Sequence, residues 1–162
     1  MLTKLKHREK ILVGVISDTH GTLWSEAVKP LRGSDLIVHA GDIGRPDVLD
    51  ELKKIAPVVA VRGNMDSGKW ARNFPDTALI EVGDVMLYVI HDVHALDLEP
   101  SAAGISAVIS GHTHRPSFAE IGDVLFLNPG SAAYPKHLYP ASIALLHIHK
   151  KTLEPQFVKL EI

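Results

Sequence analysis

The chain has 162 residues, 46% of them hydrophobic and 22% charged, with a formal net charge of −2 at neutral pH. That size and composition predict one globular domain, and the balanced charge gives no global attraction to nucleic acid or to anionic membranes. There is no cysteine, which excludes disulfides and thiolate metal sites, while ten histidines leave imidazole and oxygen ligands in supply.

Residues 1–10 are basic and mixed in character and read as an N-terminal extension of the domain, which spans 1–162. The apolar run after them is too short for a signal segment, and no run approaches the ~18 apolar residues of a membrane span. A soluble cytoplasmic protein with no membrane contact is expected. Residues 11–16 are β-rich and apolar on both faces, the pattern of a central strand in a covered sheet, and they end at Asp18-Thr-His20-Gly21. A short helix is predicted over 24–31. Residues 36–39 form a second strand, ending in Ala40-Gly-Asp42. Residues 46–55 read as a helix with Val48, Leu49, Leu52 and Ile55 on one face and Pro46 in its first turn. Residues 58–61 are a third strand, ending in Arg62-Gly-Asn64-Met-Asp66. This alternation predicts an α/β sheet that is parallel through the first half.

The second half is richer in strands. Residues 78–82 and 85–91 flank Gly83-Asp84, residues 118–121 and 124–127 flank Gly122-Asp123, and residues 142–149 and 153–160 flank Lys150-Lys151. All three pairs read as hairpins. Residues 96–104 are a helix candidate, and 107–110 a strand that runs into Ser110-Gly-His112-Thr-His114. No repeat, low-complexity tract or linker interrupts the chain. Strand-rich stretches in both halves suggest two sheets packed face to face with helices outside.

Each predicted strand end finishes on a metal-capable side chain: Asp18 and His20, Asp42, Asn64, His91, then His112 and His114. His112 and His114, two apart on extended backbone, point to the same side. Ligands of open α/β sheets bind beyond the carboxyl ends of the strands. Seven nitrogen and oxygen ligands are too many for one tetrahedral zinc and suit two divalent ions that share a carboxylate. Two such ions against Asp18, Asp42 and a hydroxide leave a charge of about +1, which attracts an anionic phosphate ester. Taken singly, Asp18 and Asp42 could be helix caps and Asn64 a turn residue. His39 reads as a core or supporting histidine, and His7, His137, His147 and His149 as solvated or structural. Arg115 could meet a substrate phosphate or simply be a surface arginine. Gly63 to Lys69 imitates a phosphate-binding loop, but Trp70 stands where Ser or Thr should hold magnesium and Asn73-Phe-Pro75 breaks the helix that should follow. Nucleoside triphosphate binding there is rejected.

Taken in order, Asp18-x-His20, Gly41-Asp42, Gly63-Asn64-x-Asp66, His91 and Gly111-His-Thr-His114 resemble the blocks of the calcineurin-like metallophosphoesterases. Asn128-Pro-Gly-Ser131 is similar to the small prokaryotic phosphodiesterases of the YfcE/MJ0936 type, a branch related to the retromer subunit Vps29. The resemblance covers residues 11–160. It implies an α/β fold, a four-layer α/β/β/α sandwich of two mixed β-sheets flanked by helices. It also implies one metal held by Asp18, His20 and His114, another by Asn64, His91 and His112, and Asp42 as the bridge. Catalytic roles fall to Asp42, Asn64, His91 and His112, and substrate contacts to Asn64 and Arg115. The implied activity is a binuclear phosphoesterase, most simply a phosphodiesterase, acting on small phosphate esters by in-line attack of a metal-bridging hydroxide. Manganese is the first choice of metal, with nickel, iron, cobalt or zinc as alternatives. The rival reading is a metal-binding interaction scaffold of the Vps29 type with little or no turnover. Two departures stand out. His91 is followed by Asp92-Val-His94 where relatives have glycine, so either Asp92 tightens the turn or His94 competes as a ligand; His91 is favoured because it directly ends the strand. Met65 occupies the place where protein-phosphatase-type relatives carry a histidine thought to assist the leaving group. The substrate and any homo-oligomeric state stay open.

Overall fold

A computed structural model of the chain describes residues 2–5, 9–133 and 139–162. The first half alternates strand and helix: β1 (Leu2–Leu5), β2 (Lys10–Ile16), α1 (Ser25–Leu31), β3 (Leu36–His39), α2 (Pro46–Lys53) and β4 (Val58–Ala60). The second half is nearly all strand: β5 (Thr77–Val82), β6 (Val85–Ile90), β7 (Ala107–Ile109), β8 (Ser117–Ile121), β9 (Val124–Asn128), β10 (Ser142–His149) and β11 (Thr152–Lys159). Two mixed sheets result. One has the order β11-β10-β2-β3-β4, parallel across β2, β3 and β4; the other has the order β1-β5-β6-β7-β9-β8, parallel across β6, β7 and β9. The three predicted hairpins, β5–β6, β8–β9 and β10–β11, are all present.

The two-residue period of each strand decides what lies where. Val13 and Val15 of β2, Val38 of β3 and Leu146 of β10 face Ile80, Leu87, Ile109 and Leu127 of the other sheet, all buried between the sheets. The intervening residues Ile16, Ile37 and Ile143 turn the other way and pack with Leu31 of α1 and Leu49 and Leu52 of α2. On the outer face of the six-stranded sheet, Val108, Tyr88 and Phe126 are covered by Val93, Leu98 and Ile105. The fourth layer is therefore present but thin, made of a 3-10 turn at Val93–Ala95 and the turns after it.

Two expectations change. The helix candidate over 96–104 is a single turn, in which the Ala103 N–H donates to the Glu99 carbonyl at 3.1 Å and the Ile105 N–H to that of Pro100 at 2.9 Å. Pro100 and Gly104 bracket too few residues to propagate a helix. The extension at 1–10 contains a strand: β1 pairs in parallel with β5, from Leu2 opposite Leu79 to Leu5 opposite Val82. His7 and His137 lie outside the described residues. Among the described residues no helix is long and apolar enough to cross a membrane.

Helix α1 rides directly on β2 because Gly14 has no side chain. A Cβ there would stand 2.6 Å from Leu31 Cδ2 and 2.8 Å from Ser34 Oγ. Gly14→Val should therefore destabilise the fold by roughly 1–3 kcal/mol through overpacking. Urea denaturation measures it, and an unchanged midpoint would contradict this close approach.

Candidate metal centre

The parallel pairing of β2 with β3 sets Ile16 opposite His39, so both chains leave the sheet side by side. Their loops stay zipped: the Asp18 N–H donates to the Gly41 carbonyl at 3.0 Å, and that of His20 to the Asp42 carbonyl at 3.0 Å. Asp18 and Asp42 are thereby held together and out of water, at 0% and 3% exposure. Asp18 Oδ2 accepts from Ser17 Oγ at 2.6 Å and from the His112 N–H at 3.0 Å. Asp18 Oδ1 accepts no hydrogen bond. It faces His114 Nε2 at 3.2 Å and His20 Nε2 at 3.8 Å, while those two nitrogens stand 3.3 Å apart.

The second half of the cluster forms around Asn64. Its Oδ1 lies 2.9 Å from His91 Nε2 and 3.2 Å from His112 Nδ1. The His91 Nδ1–H donates to the Ala40 carbonyl at 2.7 Å, so Nε2, which faces Asn64 and Asp42 Oδ2 at 3.3 Å, carries a lone pair in the neutral ring and a proton given to Asp42 in the charged one. Several acceptors thus converge where only a proton or a cation can satisfy them. Burial opposes protonation of His91, but the Asp42 hydrogen bond, the Ala40 carbonyl and the Asp18 charge outweigh it and raise its pKa. Burial likewise pushes the Asp42 carboxyl up, and bonds from His91 and the Met65 N–H more than reverse this. Ligand atoms of Asp18, His20 and His114 lie within 4.8 Å of one another, as do those of Asp18, Asp42 and His91. The residues fit divalent cations: anionic and neutral oxygens, imidazole nitrogens and an unpartnered buried carboxylate oxygen.

All seven residues expected at strand ends come together. His94 does not: it is exposed on the 3-10 turn, its Nδ1 3.3 Å from Asp92 Oδ1. Arg115 meets Tyr139, its guanidinium carbon 5.5 Å from the centre of that ring. Where the false phosphate loop would need a helix, Trp70–Asn73 is a 3-10 turn. His147 and His149 are exposed on β10, against Gln156 and Glu9.

The calcineurin-like phosphoesterase superfamily domain matches residues 11–151. The chain belongs to this superfamily. It is a hydrolase of the phosphoesterase class. A probable metallophosphoesterase of Methanocaldococcus jannaschii, MJ0623, is 37% identical over 93% of the chain and 82% of its own length. The phosphodiesterase YfcE of Escherichia coli is 32% identical over 80% and 84% respectively. Among solved structures, a predicted phosphoesterase of Streptococcus pneumoniae superposes with a TM-score of 0.75 at 27% identity, covering 93% of this chain and 90% of that one. Vps29 of Cryptosporidium parvum superposes with a TM-score of 0.75 at 19% identity, covering 96% and 100%, a likeness of fold alone.

In this phosphoesterase the supporting residues are as telling as the cluster. Asp66, buried, accepts from the N–H groups of Ile43, Gly44 and Gly63 at 3.2, 2.9 and 2.8 Å and so ties the Asp42 loop to the Asn64 loop. Asn128 donates to the Gly111 carbonyl at 2.8 Å and to Thr113 Oγ1 at 3.1 Å, fixing the loop of the paired histidines. Ser131 Oγ donates to the Asp18 carbonyl at 2.9 Å. The sequence motifs contain Asp66, Asn128 and Ser131 without saying what they hold. Gly41, at φ +102°, is needed twice over, since a Cβ would stand 2.6 Å from His91 Nδ1.

His39, fully buried, is the neutral staple beneath the centre. Its Nδ1 accepts from the Gly41 N–H at 3.1 Å, so its Nε2–H donates to Thr19 Oγ1 at 3.0 Å, whose hydroxyl donates to the Ile43 carbonyl at 2.9 Å. Burial lowers its pKa from 6.5 to about 4. As pH falls the unfolded chain takes this proton first, so the stability is complete above 6.5 and drains away down to about 4. The loss amounts to roughly 3 kcal/mol. Denaturation of metal-free protein across this range should show that slope, and His39→Gln should remove it; identical slopes would refute the neutral staple.

Proposed function

We propose that the chain is a binuclear metal-dependent phosphodiesterase acting on small phosphate esters, with its metals held by the seven residues expected from the sequence. The observation that carries this is the convergence of acceptors around the unpartnered Asp18 Oδ1 and around Asn64 Oδ1. In this reading Asp18, His20 and His114 hold one ion and Asn64, His91 and His112 the other. Asp42 is the bridge, because its Oδ2 lies 3.9 Å from His20 Nε2 on one side and 3.3 Å from His91 Nε2 on the other. Divalent ions at such a site supply Lewis acidity and an acidified water, the chemistry of in-line displacement at phosphorus. Ligands of this type admit manganese, our first choice, and also iron, cobalt, nickel or zinc.

The chain's own groups perform the remaining tasks. Asp18 and Asp42 give the charge, and the Ala40 carbonyl keeps the His91 proton on Nδ1, so that Nε2 faces the centre. His112, 40% exposed, and Asn64 stand on the open side, where a phosphate oxygen can reach them. Met65 is exposed beside Asn64 and moves no proton, so this loop offers the leaving group no side-chain acid. The name of the YfcE relative favours diesters. The scaffold reading rests on fold likeness alone, and turnover by the metal-loaded chain separates the two.

Reconstituted protein should carry two divalent ions per chain, and Asp42→Asn should weaken both sites together and abolish hydrolysis. Elemental analysis and calorimetric metal titration check this; retention of both ions at full affinity in the variant would mean that the bridge lies elsewhere. A second pair of variants tests the ligand at the end of β6. His91→Ala should lose one ion and at least about a hundredfold in rate, whereas His94→Ala should keep both ions. The reverse result would move the ligand into the turn at Val93–Ala95.

A further inference from the structure

Strand β6 runs into His91, and the next residue, Asp92, takes a place that no motif describes. The Gly111 N–H donates to the His91 carbonyl at 2.9 Å, so the loop after β6 and the loop of the paired histidines run side by side. The rings of His91 and His112 meet edge to face, their centres 5.2 Å apart. Asp92 caps the 3-10 turn at Val93–Ala95: its Oδ1 accepts from the His94 N–H at 3.0 Å. That bond occupies one carboxylate oxygen and leaves the other to face His112, whose Nε2 lies 3.8 Å from Oδ2. The opposite ring nitrogen, Nδ1, faces Asn64 Oδ1 at 3.2 Å. His112 thus stands between two acceptors, one at each nitrogen. A neutral ring has one proton to give, and the acceptor that receives it decides what Nδ1 can do.

We propose that Asp92 is a positioning residue for the metal centre: it holds the His112 proton on Nε2 and leaves the Nδ1 lone pair for the ion shared with Asn64 and His91. The inference rests on the binuclear reading and adds to it a residue outside the seven. A proton on Nδ1 would point at Asn64 Oδ1 and close the place of the ion between them. The neutral Asn64 oxygen is the nearer acceptor, so without a counterweight the ring would settle in that form. The Asp92 charge is the counterweight. At 3.8 Å it acts through charge rather than through a formed hydrogen bond, and its pull grows once a cation at Nδ1 polarises the ring N–H. His91 is set in the same way with its nitrogens exchanged: Nδ1–H donates to the Ala40 carbonyl and Nε2 faces the centre. Both imidazoles of this ion thus have an acceptor outside the cluster. Capping alone does not call for a carboxylate, because asparagine or serine caps such a turn as well.

Asp92→Asn separates positioning from capping. Its amide oxygen still accepts from the His94 N–H and keeps the turn, which leaves the NH2 group facing His112 Nε2. A donor there favours the lone pair on Nε2 and moves the proton to Nδ1, where it opposes the ion. Asp92→Ala removes the cap and the charge without putting a donor in their place. Calorimetric titration of metal-stripped protein with zinc should show one of two ions weakened about tenfold in Asp92→Asn, and less in Asp92→Ala. Tenfold is the low end for such partners because the pair is partly exposed. A purely turn-forming role gives the reverse order. Unchanged affinity in Asp92→Asn, or a larger loss in Asp92→Ala, overturns the proposal. Nitrogen NMR of metal-free protein in alkaline buffer reads the ring directly: the share of His112 with its proton on Nε2 should fall in Asp92→Asn. Weaker zinc binding with an unmoved ring signal would make Asp92 a direct ligand and also overturns the proposal. If the wild-type chain takes up fewer than two zinc ions, the binuclear reading fails separately, and the ring signal alone decides the role of Asp92.

Discussion

Two carboxylates buried within 4.8 Å of each other, Asp18 and Asp42, are the constraint that the rest of the structure accommodates. Like charges at that range in a dry site repel strongly, and each must be held by donors or offset by cations. The fold does the first part with backbone: N–H groups of His112 and Met65 point at the two side chains. Four imidazoles from three loops, His20, His91 and the pair His112 and His114, close the remaining sides. The strand order follows from the same need, since the chains that carry these groups must all leave their sheets at one edge of the sandwich.

Delivering so many side chains to one point also bends the backbone. Asp18, His20, Asp42, His112 and His114 all have positive φ, between 47° and 72°. Among the described non-glycine residues only Asp123 and Lys150, both in hairpin turns, share that conformation. Each such residue costs on the order of 1–3 kcal/mol when it is not glycine. Asp and His tolerate it better than branched residues do. A left-handed residue reverses the chain sharply enough for Asp18 and His20, or His112 and His114, to address the same small volume from one loop.

The seven cluster residues were legible because each follows an apolar run that could be read as a strand, and strand ends gather in this class of fold. Helix α2 was legible from Val48, Leu49 and Leu52, one face of a full two turns. Strand β1 was not, since Leu2-Thr-Lys-Leu5 is too short to show a period and takes its conformation from β5. Residues 96–104 misled for the opposite reason: Leu98 and Ile105 supply apolar side chains that cover the sheet as well from a turn as from a helix. The support given by Asp66 and His39 was hidden because it depends on which loops meet, and that is a property of the sheet rather than of any local pattern. Asp92 tightens its turn by accepting from the His94 N–H at 3.0 Å, as its place after His91 suggests, but its Oδ2 also lies 3.8 Å from His112 Nε2, a proximity that no local pattern contains.

The left-handed turns and the crowded carboxylates have a thermodynamic consequence. A cation that binds only the folded chain adds about 1.4 kcal/mol to its stability for every tenfold rise in free concentration above the dissociation constant. In the proposed centre it would do so by relieving the repulsion between Asp18 and Asp42 and by tethering the five loops that carry the seven residues. With such a centre, folding and metal supply would be one linked equilibrium: the melting temperature would read the free-metal level of the surroundings, and a chelator would act as a mild denaturant.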